Sequence, residues 1–152
     1  MIAFGILLFL TAVFLVTWFV YARSQERIDI TPEEAIASLS ENGFVIISQE
    51  YRDNESYSNI IGSPLYGYLL TTSYQGNELI INLIYYNNWS ETRTVAFQWI
   101  KTCKMWQRST SSIICGENFT YGRLFISFAT DSIISDKTIR KDILNIIKTT
   151  QD

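Results

Sequence analysis

Residues 65–86 read LYGYLLTTSYQGNELIINLIYY, and this stretch decides the class of fold. Residues 65–74 and 78–86 are rich in aromatic and β-branched side chains, and Gln75-Gly76-Asn77 between them is a turn sequence, so the stretch predicts a β-hairpin. In the second run, one face carries Leu79, Ile81, Leu83 and Tyr85, and the other carries Ile80, Ile84 and Tyr86. Because both faces are apolar, this strand is expected to be central and covered.

Further elements are predicted on both sides of the hairpin. A helix is expected over residues 31–42, because Thr31, Pro32 and Glu34 form a helix start with a capping box and Gly43 is well placed to end it. A C-terminal helix with an isoleucine stripe is expected over residues 136–148. Strands are expected over residues 44–49, 93–104, 112–115 and 120–130. The predicted class is α+β, with an antiparallel sheet of about five strands flanked by an N-terminal and a C-terminal helix on one face.

The N-terminal segment is the most apolar part of the chain. Residues 1–22 contain 19 apolar residues and no charged one. Residues 2–22 are long enough for a transmembrane helix, and Arg23 ends the run. A cleaved signal peptide is the alternative, although such peptides begin with basic residues and have a shorter apolar core. The expected organisation is an uncleaved transmembrane anchor at 1–22, a juxtamembrane linker at 23–30 and a small α+β domain at 31–152.

The sequence carries conflicting signals about the side of the membrane on which the domain lies. Arg23 and Arg27 follow the span and no basic side chain precedes it, so the positive-inside rule places the domain in the cytoplasm. A domain rich in Tyr, Trp, Asn, Ser and Thr, with a cysteine pair, favours a periplasmic or extracellular location. We expect a single-pass protein with an extracytoplasmic domain, and the cytoplasmic orientation stays open.

The two cysteines, Cys103 and Cys115, lie 12 residues apart on consecutive predicted strands. Antiparallel neighbours bring Cα atoms to disulfide distance, so we expect a bridge in an oxidising compartment and two ordinary thiols in the cytosol. Neither a zinc site nor a catalytic cysteine is expected, because the chain has no histidine and no other cysteine.

The residues that usually carry chemistry are sparse in this chain. The absence of histidine removes the commonest general base and metal ligand. We therefore expect no catalytic residues, no metal and no cofactor. A weak hydrolase that uses Glu33, Glu34 or Asp131 is the remaining enzymatic alternative. The net charge of −3 argues against general nucleic-acid binding.

Two groups of residues are candidates for binding. The first interleaves basic and aromatic side chains, a mixture suited to an anionic partner, although a solvated strand end would look the same. Its members are Trp99, Lys101, Lys104, Trp106 and Arg108. The second is an aromatic group on and after the hairpin, suited to protein or sugar contacts, although cross-strand aromatic pairs that hold a sheet would look the same. Its members are Tyr66, Tyr68, Tyr85, Tyr86 and Trp89.

Together these features favour a single-span, membrane-anchored, non-enzymatic interaction module. We expect an extracytoplasmic accessory subunit or binding domain of a membrane or envelope complex. Its partners would be the lipid bilayer, through residues 2–22, and a protein of that complex, with no nucleic acid. The alternatives are a cytoplasm-facing tether that recruits a soluble partner, and an anchored immunity or inhibitor protein.

Overall fold

The computed structural model describes residues 2–57, 62–109, 117–130 and 136–150, and within these the side chains of residues 5–57, 62–99, 101, 117–128 and 137–150. Helices and one antiparallel sheet make up this part of the chain. The helices are α1 (Ile2–Arg27), α2 (Pro32–Glu41), α3 (Trp89–Ser109) and α4 (Asp136–Thr149), with a 3-10 turn over Glu55–Tyr57. The strands are β1 (Val45–Asp53), β2 (Pro64–Tyr74), β3 (Asn77–Tyr86), β4 (Glu117–Tyr121) and β5 (Leu124–Thr130).

The sheet has the strand order β1-β2-β3-β5-β4, so β3 is central while β1 and β4 lie at the edges. The hairpin is confirmed, since Tyr74 pairs with Asn77 beside the turn and Tyr66 pairs with Tyr85 near its other end. Gln75 and Gly76 have φ angles of +50° and +78°, as a two-residue hairpin turn with both central residues left-handed requires. The predicted α+β class, with an antiparallel sheet of about five strands and flanking helices, is confirmed.

The first face of the sheet is covered by α2 and α4. The predicted inward face of β3 is buried there together with apolar residues of β2 and β5. From α4, Ile139, Ile143 and Ile147 enter this core, which confirms the isoleucine stripe. This first core therefore joins the two flanking helices to the centre of the sheet.

The start of α2 follows the predicted capping box. The Glu34 backbone N–H donates to Thr31 Oγ1 at 3.3 Å, and the Thr31 backbone N–H donates to Glu34 Oε2 at 2.8 Å. The helix buries Pro32, Ala35 and Leu39. Gly43 follows with a φ of +91°, a left-handed conformation that favours glycine and ends the helix.

The second face carries α3, and here two predictions are wrong. Residues 93–104 are helical rather than a strand, and the helices cover both faces of the sheet. Asn88 caps the helix, because its Oδ1 accepts from the Glu91 backbone N–H at 3.0 Å and its Nδ2 donates to Glu91 Oε1 at 2.9 Å. Thr92 and Val95 lie one turn apart and are buried. The second core, formed where α3 packs on this face, contains Tyr57, Ile84, Tyr86, Val95 and Phe125.

The last strand predicted by the sequence, over residues 120–130, is divided into the hairpin β4–β5. Gly122 has a φ of +56° at the turn, so the chain reverses there instead of continuing as one strand. Tyr121 pairs with Leu124 beside the turn and Glu117 with Phe128 at the other end. The predicted strand over residues 112–115 lies outside the described residues.

The N-terminal helix α1 is long and apolar enough to cross a membrane over Gly5–Arg27. Its 26 residues extend about 39 Å at 1.5 Å each. Side chains 5–21 are all exposed, so no described part of the domain encloses this helix. The helix continues to Arg27, so residues 23–27 of the expected linker are helical, as a stretch without glycine or proline allows.

Candidate functional site

The basic and aromatic group of residues 99–108 lies on α3, not on a strand. The Trp99 ring meets the Phe125 ring edge to face at 6.2 Å and remains 38% exposed, and Lys101 is exposed. Residues two apart on a helix are separated by about 200°, so Trp99 and Lys101 point to different sides instead of sharing one strand face. Lys104, Trp106 and Arg108 belong to the same helix, and their side chains lie outside the described residues.

The aromatic group on and after the hairpin is divided among three places. Tyr66, Tyr68 and Tyr85 lie together on the first face of the sheet, where the Tyr66 ring lies 6.4 Å from that of Tyr68 and 5.6 Å from that of Tyr85. Tyr86 is fully buried in the second core. Trp89 is the first residue of α3 and contacts α1. The five residues therefore do not form one surface, and only the first three form a cluster.

Tyr51 from β1 and Glu33 from the first turn of α2 lie beside Tyr66 and Tyr68. We refer to these four residues as the tyrosine–carboxylate cluster, and Tyr85 lies next to it. Tyr51 lies directly opposite Tyr68 in the ladder, and their rings meet edge to face at 5.5 Å. The Tyr66 and Tyr68 hydroxyls each donate to one Glu33 oxygen at 3.0 Å. One carboxylate thus orients two phenol rings, and Tyr51, 58% exposed, presents the outer surface.

A second carboxylate supports the cluster from the chain between α1 and α2. The Tyr85 hydroxyl donates to Asp29, and Arg123 forms an ion pair with the same carboxylate at 3.1 Å. The Arg123 guanidinium lies 4.4 Å from the centre of the Tyr85 ring, and its Nε donates to the Tyr86 carbonyl oxygen at 3.0 Å. These contacts tie the start of the domain to the sheet beneath the cluster.

The phenol groups of Tyr66, Tyr68 and Tyr85 remain protonated at neutral pH. Burial, followed by the hydrogen bond to Glu33, raises the pKa of Tyr66 and of Tyr68. Burial, followed by the hydrogen bond to Asp29, raises the pKa of Tyr85 to about 12. A phenol with a raised pKa acts as a hydrogen-bond donor and not as a base or nucleophile. The arrangement therefore suits recognition through rigid, oriented rings.

The carboxylates considered for hydrolysis have structural roles where the structure describes them. Glu33 accepts from the two tyrosines, and Glu34 belongs to the capping box of α2. Asp131 lies outside the described residues. Within the described part of the chain, no group of three or more cysteine, aspartate or glutamate side chains is placed to hold a metal ion.

The edge strand β1 presents most of its side chains to solvent. None of its nine residues is buried, and Val45 and Ile47 are 63% and 60% exposed. The register shifts between Ile46 and Ser48, so Ile47 is an extra residue in the ladder. Among the described strands, β1 pairs only with β2, so no described strand pairs with the backbone groups of its outer edge, which lies beside the tyrosine–carboxylate cluster.

The contact between α1 and α3 is a second aromatic centre. The Trp89 ring lies 6.3 Å from that of Trp18 and 6.0 Å from that of Tyr21. The Arg93 guanidinium lies 4.1 Å from the centre of the Trp18 ring, which is a cation–π contact. Near the end of α1, the Gly122 backbone N–H donates to Gln25 Oε1 at 3.3 Å. The apolar helix therefore contacts the domain at two places, the first turns of α3 and the β4–β5 turn.

The prediction of a disulfide assumed that Cys103 lies on a strand, and this assumption is wrong. Cys103 lies within α3, so the two cysteines are not on consecutive strands. Cys115 lies outside the described residues, as does the side chain of Cys103. The disulfide stays a prediction.

Sequence reasoning missed the contribution of Asn88, Glu33 and Tyr51. The spacing of Asn88 and Glu91 is a capping signal that could have located the start of α3. Nothing in the sequence pairs Glu33 with tyrosines 33 and 35 residues away.

Comparison with protein-family models, with curated proteins and with solved structures finds no match to this chain.

Proposed function

We propose that this protein is a membrane-anchored, non-enzymatic interaction domain that binds a partner protein along β1. The observation that carries this proposal is the exposure of β1. A nine-residue edge strand with no buried residue, exposing Val45, Ile47 and Tyr51, has the features of a surface that a partner covers.

The mode of binding that fits this edge is strand addition. A partner segment in extended conformation would pair with the free N–H and C=O groups of β1, and side-chain contacts would supply specificity. The tyrosine–carboxylate cluster is continuous with this edge through Tyr51. Tyrosines held by neighbouring groups give large contact areas at low entropic cost, and Glu33 holds two of them here.

The charge of this region indicates the chemistry of the partner segment. Residues 23–56, which include α2 and β1, carry 8 acidic and 3 basic residues. On β1, Glu50 is exposed and its only ion pair among the described residues is with Arg52 of the same strand. A partner strand with basic residues is complementary to this surface and would be steered towards it.

The anchor restricts where this binding takes place. If α1 crosses the bilayer, its docking against α3 and the β4–β5 turn holds the domain next to the membrane surface. The partner would then belong to a membrane or envelope complex. We propose that the domain is extracytoplasmic. The second candidate is a cytoplasm-facing tether, which the positive-inside rule favours because Arg23 and Arg27 follow the apolar segment. Alkaline phosphatase fused after Asp152 is expected to be active in the first orientation and silent in the second.

The test of binding is a crosslinked pulldown of the full chain, solubilised in detergent from its membrane. Ile47→Lys places a charge on the exposed β1 edge, and Ile80→Lys places the same charge on β3, where Ile80 is 53% exposed. The wild type and Ile80→Lys are expected to retain the same crosslinked partner, and Ile47→Lys to lose it. A wild-type chain that runs only as a free monomer, or equal retention by both variants, would contradict the proposal.

A further inference from the structure

One face of α3 carries exposed residues that the β1 surface does not use. Trp89, Arg93, Phe97 and Lys101 recur every four residues and form a stripe along the helix. Trp89 is packed against α1, whereas Arg93, Phe97 and Lys101 are exposed. Phe97 is 71% exposed, compared with 69% for Phe9 in the middle of the apolar helix α1.

The charges of this stripe have no counter-charge within the described part of the chain. Neither Arg93 nor Lys101 forms an ion pair with a described carboxylate. The nearest acidic residue in the sequence, Glu91, is engaged with Asn88 in the cap of the helix. The stripe therefore presents an exposed ring between two basic side chains.

The contacts of α3 with α1 show where this stripe begins along the axis of α1. Trp18 and Tyr21 precede Arg23, the first charged residue of the chain, by five and two residues. At 1.5 Å per residue, Trp18 lies about 7.5 Å further into the apolar segment than Arg23. Since Trp89 contacts both rings and Arg93 covers Trp18, the first turns of α3 lie beside the end of the apolar segment.

We propose that this stripe of α3 is a second membrane contact, which lies in the headgroup layer of the same bilayer that α1 crosses. Phe97 inserts among the acyl chains, and Arg93 and Lys101 bind the phosphates of anionic lipids. This proposal rests on the membrane anchor of the proposed function. Basic residues that flank an exposed aromatic ring are typical of helices that lie in a membrane interface.

The shape of this surface fits a lipid headgroup. A shallow cavity of about 290 Å³ lies along the stripe, lined by Trp89, Ser90, Arg93, Thr94, Phe97 and Gln98. Its lining combines the Arg93 guanidinium with the Ser90 hydroxyl and the Gln98 amide, which are donors to phosphate oxygens. Two attachments, the span and the stripe, would prevent the domain from tilting and would orient the β1 edge relative to the membrane.

The test uses the full chain in vesicles of phosphatidylcholine and phosphatidylglycerol, with the photoreactive residue p-benzoylphenylalanine at one position at a time. Position 97 reports on the stripe and position 9 on the span. Position 45 is the control, because Val45 is 63% exposed at the end of the sheet that lies away from Asp29 and the β4–β5 turn. Lipid adducts detected by mass spectrometry are expected at 9 and 97 and not at 45.

The outcomes separate this inference from the anchor. Adducts at 9 without adducts at 97, or equal yields at 97 and 45, overturn the membrane contact of α3 and leave the anchor standing. No adduct at 9 overturns the anchor, and the membrane contact with it. In the same vesicles, Arg93→Gln with Lys101→Gln is expected to lower the yield at 97, by up to about fivefold per charge. The control variant Lys148→Gln, at the exposed end of α4, is expected to leave the adduct yield at position 97 unchanged. If the variant that lacks both Arg93 and Lys101 gave the same yield as the wild type, the role of the two charges would be overturned.

Discussion

Gly67 lies at a point of close approach in the central hairpin, and replacing it with alanine is expected to destabilise the domain. A Cβ at this position would lie 2.3 Å from the Leu83 carbonyl oxygen and 2.4 Å from the Tyr57 hydroxyl oxygen. Both distances are about 1 Å short of the 3.4 Å at which ordinary contact begins. The Leu83 oxygen belongs to the backbone of β3, so it cannot move away without distorting the β2–β3 ladder.

The expected cost of Gly67→Ala follows from these contacts. Overpacking costs about 1–3 kcal/mol, and a strained ladder hydrogen bond adds about 1 kcal/mol, so we expect the free energy of unfolding to fall by about 3 kcal/mol. This corresponds to a Tm lower by about 10 °C for a domain of this size. Urea unfolding of the detergent-solubilised full chain, followed by near-ultraviolet circular dichroism, reports the packing of aromatic side chains, most of which belong to the domain.

A matched control separates steric overlap from backbone strain. Gly76 lies in the turn of the same hairpin with a φ of +78°, and no atom lies within 4 Å of a Cβ placed there. Gly76→Ala is therefore expected to cost only about 1 kcal/mol of backbone strain. A Gly67→Ala variant as stable as the wild type, or more stable than Gly76→Ala, would refute the reasoning.

A double-mutant cycle tests which atom causes the overlap. Tyr57→Phe removes the hydroxyl, whose hydrogen bond to Asn82 is long at 3.4 Å, so alone it should cost about 0.5–1 kcal/mol. Combined with Gly67→Ala, it should recover about 1 kcal/mol, because one of the two overlaps is gone. Simple additivity of the two changes would assign the whole cost to the Leu83 oxygen.

Two further predictions concern alkaline pH and the start of α2. Burial raises the pKa of Tyr57 and of Tyr85 to about 12, above the value of about 10 in the unfolded chain. The free energy of unfolding is therefore expected to fall as the pH rises from about 10 to 12. Urea titrations across this pH range measure this fall, and a free energy of unfolding that does not change with pH would contradict the prediction. Thr31→Ala removes the capping hydroxyl and should cost about 1 kcal/mol by the same assay, whereas Thr31→Ser should cost much less, and equal losses would argue against the cap.

The elements that sequence reasoning located well are those whose signals are local. The hairpin of residues 65–86 has alternating apolar faces and a turn sequence, and α2 has its capping box and terminal glycine. In each case the residues that determine the element are within a few positions of one another. The capping and turn signals of these elements can therefore be read from the sequence without knowledge of the rest of the chain.

The error over residues 93–104 has a specific physical origin. Val95, Phe97 and Trp99 alternate as in a strand, and threonine and valine favour strands. The helix forms because Asn88 caps it and because Thr92 and Val95 are buried against the second face of the sheet. Phe97 then points to solvent, so its apolar character carried no information about the core.

The sequence alone determined the apolar N-terminal helix, the α+β class and the central hairpin, since each depends on composition or on neighbouring residues. The tertiary structure decided which surfaces these elements share. A bulge at Ile47 places Tyr51 on the same face as Ile46, which simple alternation would not do, and so brings it opposite Tyr68. Glu33 reaches Tyr66 and Tyr68 only because α2 packs across the sheet. Such contacts join residues far apart in the chain, and only the pairing of β1 with β2 and the packing of α2 on the sheet determine their positions.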